Sequence, residues 1–125
     1  MDLERLAVGD SLHMHLRTEL EANNVLYASH AKCIYDFNRE SSVHSKIKNA
    51  PNTSKARYIT EDVPYLFVPF CELADLCGVD VPIAKSLVTI ASYYNDENYM
   101  KTGRTLAKMG FNHWTKQEIL EFLEA

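Results

Sequence analysis

The stretch from Pro64 to Asn95 constrains the fold most, because helix start and stop signals divide it into two apolar segments. Pro64 is tolerated in a first helical turn, and the residues after it up to Cys77 are nearly all apolar. Gly78 is placed to end that helix in a left-handed cap, and Pro82 opens the next helix. The second helix carries an apolar stripe with helical spacing. The stripe consists of Ile83, Ala84, Leu87, Val88, Ala91 and Tyr94. The pattern predicts two consecutive helices, the first of them mostly buried.

The N-terminal part of the sequence predicts further helices with less distinct ends. Residues 2–16 begin with helical spacing, although the apolar residues near the end alternate with polar ones as in a strand. Residues 17–36 are rich in helix formers, and residues 41–48 form a shorter and more polar piece. A cluster of turn formers at residues 49–54 predicts the clearest loop.

The C-terminal part predicts two more helices. One runs over residues 98–109 and stops at Gly110. The next begins after Thr115, whose hydroxyl is expected to cap the helix while Glu118 reaches back in a capping box. No segment resembles a strand followed by a glycine-rich turn, so we predict a single all-α domain over residues 1–125.

Glycine content limits what the chain can bind. Its four glycines are Gly9, Gly78, Gly103 and Gly110, and they form neither a G-x-G-x-x-G turn nor a P-loop. We therefore predict no cofactor-binding residues and no Rossmann domain in this sequence.

Charge and cysteine content exclude several other classes of partner. Thirteen Lys and Arg against seventeen Asp and Glu give a net charge of -4, which disfavours nucleic acid and anionic membranes. No apolar run reaches the roughly 20 residues of a membrane span, and the first residues do not resemble a signal peptide. Three cysteines without a C-x-x-C pair suit a reducing compartment, so the expected location is the cytoplasm. His13 and His15 lack a third ligand, and no metal site is predicted.

The densest polar cluster is the segment from Arg57 to Pro64, which runs into the most apolar predicted helix. Loops anchored on a rigid scaffold often carry functional sites. The ordinary structural interpretation is that Asp62 caps the helix that follows and that Arg57 forms a surface ion pair with Glu61. Composition alone favours that interpretation.

Ordered motifs in this half of the chain resemble the C-terminal domain of the octopine and nopaline dehydrogenases, the opine dehydrogenases. The resemblance covers residues 57–111 and extends more weakly back towards Leu3. The motifs are RYITEDVP from Arg57, VP from Val68, ELA from Glu72, CGVDVP from Cys77, GRTL from Gly103 and MG from Met109. The resemblance implies an all-helical substrate-binding domain, similar to the C-terminal fold of 6-phosphogluconate dehydrogenase, that works with an N-terminal Rossmann domain. It also implies a reaction in which an amino acid and a 2-oxo acid condense to an imine that NADH or NADPH reduces.

The resemblance also implies roles for individual residues. Asp62 matches the family aspartate that orients a catalytic histidine, and a carboxylate in that place fixes the imidazole tautomer. Arg57 matches the arginine that binds the carboxylate of the 2-oxo acid through a bidentate hydrogen bond. Arg104 lies in a matching motif, with a substrate contact and a structural ionic role both open. Five aromatic residues are expected mainly in the core, with a place in the wall of the amino-acid side-chain pocket open for some of them. They are Tyr65, Phe67, Phe70, Tyr93 and Tyr94.

The family histidine lies farther upstream than the 61 residues that precede Asp62 here. We therefore expect the chain to be inactive alone, as an excised domain, a split-gene product or one subunit of a larger enzyme. Its partners would be a Rossmann domain or subunit and the two small substrates, with a homodimer also open. The rival interpretation is a non-catalytic helical interaction module derived from the same family.

Overall fold

The computed structural model of the protein describes residues 1–47 and 50–125, and every regular element in those ranges is helical. This confirms the all-α prediction. Positions 48 and 49, which end the predicted polar piece and begin the predicted loop, lie outside the described residues. The α-helices are α1 (Asp2–Ser11), α2 (Glu19–Leu26), α3 (Ile34–Glu40), α4 (Arg57–Thr60), α5 (Val68–Cys77), α6 (Pro82–Asn95), α7 (Tyr99–Thr102) and α8 (Lys116–Glu124). A 3-10 turn spans His44–Lys46, and a π-helical turn spans Val63–Phe67.

The π-helical turn lies at the centre of the fold, between α4 and α5, and packs against α5, α6 and α7. Pro64 and Pro69 lack an N–H, so each interrupts the usual hydrogen-bond ladder. The N–H of Val68 donates to the carbonyl of Val63 across the wider turn. Val63, Val68 and the buried faces of α5 and α6 form the core. The segment that carries Arg57 and Asp62 is therefore fixed to the most buried part of the molecule.

Local capping signals are confirmed at several helix ends. Gly78 is left-handed, with φ 70° and ψ 26°, and Pro82 is the first residue of α6. Thr115 and Glu118 form the predicted capping box of α8. A cap that the sequence did not reveal joins α1 to α6: the Glu4 carboxylate accepts hydrogen bonds from the N–H groups of Ile83 and Ala84, at 2.7 and 3.1 Å.

Three helix predictions were wrong in extent. The first helix ends at Ser11, and residues 17–36 do not form one helix: α2 ends at Leu26 and α3 begins at Ile34. Ala28, at φ 50°, lies in the left-handed region, which breaks the helix between them. In the C-terminal part, helical structure stops at Thr102 rather than near residue 109, because tertiary hydrogen bonds divert the next residues.

The apolar stripe of α6 is wider than the core that covers it. Ala84, Val88 and Ala91 are buried, but Ile83 and Leu87 are exposed. Three of the aromatic residues expected in the core are also exposed, since their helical faces turn away from it. They are Tyr65, Tyr93 and Tyr94, at 63%, 85% and 70%. An uncovered apolar face therefore runs along α6.

Cys71 and Cys77 are buried, while Cys33 is exposed and all three are free thiols. Burial raises the pKa of the Cys71 thiol. None of the described helices combines the length and the hydropathy needed to cross a bilayer.

Candidate functional site

Arg57 is the first residue of α4, and its side chain forms the predicted ion pair with Glu61. The Nε and Nη2 atoms donate to one carboxylate oxygen of Glu61, at 3.2 and 3.0 Å. The two side chains are 78% and 53% exposed, and such a pair contributes under about 1 kcal/mol. A ligand carboxylate can therefore compete for this guanidinium at little cost.

Asp62 lies between α4 and the π-helical turn, and the prediction that it caps a helix was wrong. Its backbone is helical, with φ -66° and ψ -40°, and its side chain makes no capping hydrogen bond. A capping residue needs an extended backbone to fold its side chain over the first turn. Here the preceding turn takes that role, because the N–H of Tyr65 donates to the carbonyl of Glu61. The Asp62 carboxylate is exposed and has no hydrogen-bond or ion-pair partner within the described ranges.

Arg104 is held close to the same turn by its backbone. Its N–H donates to the carbonyl of Pro64 at 2.8 Å. Gly103 makes this approach possible, since a Cβ there would lie 2.7 Å from the carbonyl oxygen of Tyr99 and 2.9 Å from that of Pro64. The Arg104 side chain is exposed, and its guanidinium makes no hydrogen bond to any residue that the structure describes. The backbone of Arg104 is thus held in position, while its guanidinium has no hydrogen-bond partner among the described residues.

Two charged side chains fix the segment that carries Arg104, and sequence reasoning missed both. The Glu72 carboxylate accepts a hydrogen bond from the N–H of Leu106 at 2.5 Å. The Lys108 ammonium donates to the carbonyls of Lys101, Thr102 and Gly103, at 3.2, 2.8 and 2.7 Å. These bonds satisfy carbonyls that a continuing helix would have used, so they explain why the predicted helix over residues 98–109 ends early.

An apolar groove of about 650 Å³ adjoins the Arg57 and Asp62 segment. It lies between the loop 51–54, the turn from α4 into the π-helical turn, and α6. Tyr58 and Val63, the residues that directly follow Arg57 and Asp62, line it, whereas Arg57 and Asp62 themselves do not. The charged side chains of Arg57 and Asp62 therefore lie on an open surface beside the groove, and the described residues do not enclose them.

The described residues contain neither a cluster of metal-ligating side chains nor a dinucleotide-binding turn. Three His, Cys, Asp or Glu side chains that could share a metal ion are not found together in residues 1–47 and 50–125. The same ranges contain no strand leading into a glycine-rich turn, which is the arrangement that binds a pyrophosphate at a helix N-terminus.

Comparison with known proteins decides the family. Residues 1–95 match the model of the family described as NAD/NADP octopine/nopaline dehydrogenase, alpha-helical domain. The chain belongs to this family. The matched region contains Arg57 and Asp62 and ends before Arg104. The resemblance noted from the motifs is thereby confirmed, and the family it points to is a family of NAD(P)-dependent dehydrogenases.

Curated relatives cover nearly the whole chain. Protein ocs from Agrobacterium vitis is 35% identical over 109 residues, which is 87% of this chain and 30% of that protein. Vitopine synthase from Allorhizobium ampelinum is 29% identical over 98% of the chain, and opine dehydrogenase from Arthrobacter sp. strain 1C is 27% identical over 99%. The chain spans 34% of the length of each of these last two proteins, so it corresponds to about a third of its relatives.

Proposed function

We propose that this chain is the substrate-binding helical domain of an opine dehydrogenase, which joins an amino acid to a 2-oxo acid with NADH or NADPH as reductant. The observation that carries the proposal is that the charged groups of Arg57 and Asp62 are both accessible. Both lie in the family-matched region, five positions apart on one short segment, and neither charge is committed to a buried interaction. Charged groups that stay accessible on a rigid segment are suited to bind ligands.

In this proposal, Arg57 binds the carboxylate of the 2-oxo acid. A planar guanidinium can donate two parallel hydrogen bonds to a carboxylate, which fixes the orientation of the substrate as well as its position. The contact replaces the exposed pair with Glu61, whose weakness makes the exchange nearly neutral.

Asp62 is a positioning residue in this proposal, because it acts through a histidine supplied from outside the chain. Its carboxylate accepts the N–H of one imidazole nitrogen, so that the other nitrogen faces the substrate. The negative charge also favours the protonated imidazole, which can then give a proton to the reacting substrate. The free state of the Asp62 side chain supports this role, since no capping bond has to be broken.

Arg104 is proposed as a second contact for a substrate carboxylate. An opine contains two carboxylates, one from each substrate, and Arg57 can bind only one of them. The backbone of Arg104 is bonded to Pro64, two residues after Asp62, while its guanidinium remains exposed. The backbone bond fixes the position of Arg104, and we propose that its side chain binds the ligand rather than taking the ionic structural role that the sequence also left open.

The remaining parts of the proposal concern the larger assembly. Residues 1–125 act as one substrate-binding domain with a fold of the 6-phosphogluconate dehydrogenase C-terminal type, and the enzyme works in the cytoplasm. The dinucleotide is held by a Rossmann domain or subunit outside this chain. The amino acid, the 2-oxo acid and that Rossmann part are the proposed partners.

Reconstitution tests the proposed function. The chain is mixed with the part of the Agrobacterium vitis relative that lies outside the 109 matched residues, and NADH and NADPH oxidation is followed with pyruvate and a panel of amino acids. We expect oxidation only in the mixture, and only when both substrates are present. The same mixing is repeated with the corresponding parts of vitopine synthase and the Arthrobacter enzyme.

A non-catalytic interaction module is the second candidate, because α6 exposes apolar side chains that a folded monomer normally covers. Absence of oxidation in every pairing, with each partner shown to be folded, would favour the module and contradict the enzyme proposal.

A further inference from the structure

The groove beside α4 has the size and lining of a small-molecule site. Its volume of about 650 Å³ falls within the roughly 300–1,000 Å³ of ligand pockets. None of the side chains that line it is charged. Its apolar and aromatic wall includes Tyr58, Ile59, Phe67, Leu87, Ile90 and Tyr94.

The opposite wall of the groove is fixed by tertiary hydrogen bonds. Asn95 is 5% exposed, and its Nδ2 donates to the carbonyl of Ser54 at 2.9 Å. The ammonium of Lys55 donates to the backbone carbonyl of Asn95 at 2.8 Å. These bonds hold the loop 51–54 against the end of α6, so the groove exists without a ligand. A preformed site avoids the cost of ordering a loop on binding.

The groove is adjacent along the chain to Arg57, the proposed contact for the 2-oxo acid. Tyr58 follows Arg57 directly, so their Cα atoms are about 3.8 Å apart. Joining an amine nitrogen to a carbonyl carbon requires both substrates within bonding distance. If Arg57 binds the 2-oxo acid, the amino acid must lie within bonding distance of it, and the groove lined by Tyr58 is the apolar concavity next to Arg57 along the chain.

We propose that this groove holds the side chain of the amino acid and that it selects one with an apolar side chain. The inference rests on the proposed function and adds a substrate class to it. A cationic side chain would lose its water in the groove and meet no counter-charge, since none of the lining residues is acidic. An apolar side chain would instead remove apolar surface of Leu87, Ile90 and Tyr94 from water.

A titration of the ¹⁵N-labelled chain with L-norleucine and L-lysine tests the inference by NMR. The two amino acids share their main chain, and lysine adds an ammonium to a similar hydrocarbon stem. We expect norleucine to shift the amides of Tyr58, Ile90, Ala91 and Tyr94, with a dissociation constant at least about tenfold lower than that of lysine. Equal affinity for both, or shifts confined to residues away from the groove, would overturn the proposal.

Two isoleucines of α6 supply a matched pair of variants. Ile83 and Ile90 are 52% and 53% exposed, but only Ile90 lines the groove. Ile90→Ser is expected to weaken norleucine binding at least about tenfold, while Ile83→Ser leaves it unchanged. Thermal melts confirm that both variants are folded. An equal effect of the two substitutions would contradict the proposal.

Two further measurements separate the alternatives. If sedimentation shows that the chain dimerises through the groove, with dimers that Ile90→Ser dissociates, the groove is an interface and the inference fails. Titration of pyruvate into the chain and into Arg57→Lys tests the proposed function independently. If Arg57→Lys weakens pyruvate binding but not norleucine binding, the result supports both the proposed function and the groove site. If pyruvate binds equally well to the chain and to Arg57→Lys, the proposed function is contradicted while the groove site is not.

Discussion

At the scale of single residues, the site depends on which charged side chains are hydrogen-bonded to the backbone and which are not. Asp62 keeps a free carboxylate because the chain continues from α4 into a π-helical turn and leaves no helix start to be capped. Glu72 and Lys108, in contrast, are fully engaged with backbone groups of residues 101–106. Asp62 can act on a ligand, whereas Glu72 and Lys108 hold the segment that carries Arg104 in place.

Asp62→Asn is expected to lower kcat of the reconstituted enzyme by about 10²- to 10⁴-fold, because an amide can hold the wrong imidazole tautomer. The carboxylate raises the pKa of its histidine partner, so its removal should move the high-pH decline of the rate to lower pH. Steady-state rates across pH measure both effects. Asp80→Asn, an exposed aspartate on the loop between α5 and α6, is the control; equal losses in the two variants would contradict the assignment.

Gly103→Ala is expected to lower the free energy of unfolding by about 1–3 kcal/mol, because the added methyl overlaps two backbone carbonyls and a side chain of Val68. Denaturant melts of the chain measure the loss. Gly9→Ala is the matched control, since its methyl would meet only the flexible side chain of Leu16. A neutral Gly103→Ala would show that the Arg104 segment is not tightly held.

At the scale of elements, the sequence predicted correctly those helix ends and contacts that depend on neighbouring residues. The cap at Gly78, the start at Pro82 and the box at Thr115 depend on neighbours within one turn, and all three are confirmed. The ion pair of Arg57 with Glu61 is predictable for the same reason, since residues four apart share a helix face.

Features decided by distant contacts were missed. The helix after Asn98 was predicted too long because the sequence pattern contains no sign that Pro64 and Glu72 bind residues 104–106. Asp62 was assigned as a cap because its place before Pro64 is typical of one, whereas the π-helical turn also depends on packing against α5 and α6. The groove likewise became visible only once the loop 51–54 and α6 were brought together.

The capping box of α8 should make stability depend on acid pH. The N–H and hydroxyl of Thr115 donate to Glu118 and hold the pKa of that carboxyl below its ordinary value of about 4.3. Because the folded pKa is the lower one, the stabilisation is complete above that value and is lost as pH falls through the folded pKa.

Glu118→Gln removes this titrating group and keeps a hydrogen-bonding side chain. Melting temperatures of the chain and the variant are compared from neutral pH down into the acid range. The gap between the two curves should narrow or reverse below about pH 4.3. Parallel curves would mean that the box contributes no pH dependence.

At the scale of the whole molecule, the chain is a helical body with a pair of charges and an apolar groove on neighbouring surfaces. Its relatives are about three times as long, and Arg57 and Asp62 lie on an open surface beside the groove. Both observations support the proposal that a second domain completes the substrate cleft. In the inferred site, the exposed Ile90 and Tyr94 of α6 contact the side chain of the amino acid.

The most direct test of the account is the Michaelis constant for pyruvate in the reconstituted enzyme, compared between Arg57→Lys and the exposed control Arg39→Lys. Lysine keeps the charge but cannot make the bidentate contact. Losing one charge-assisted hydrogen bond, worth about 1.5–3 kcal/mol, should raise KM for pyruvate roughly 10- to 150-fold in Arg57→Lys and leave it unchanged in Arg39→Lys. An unchanged KM in Arg57→Lys would contradict the account.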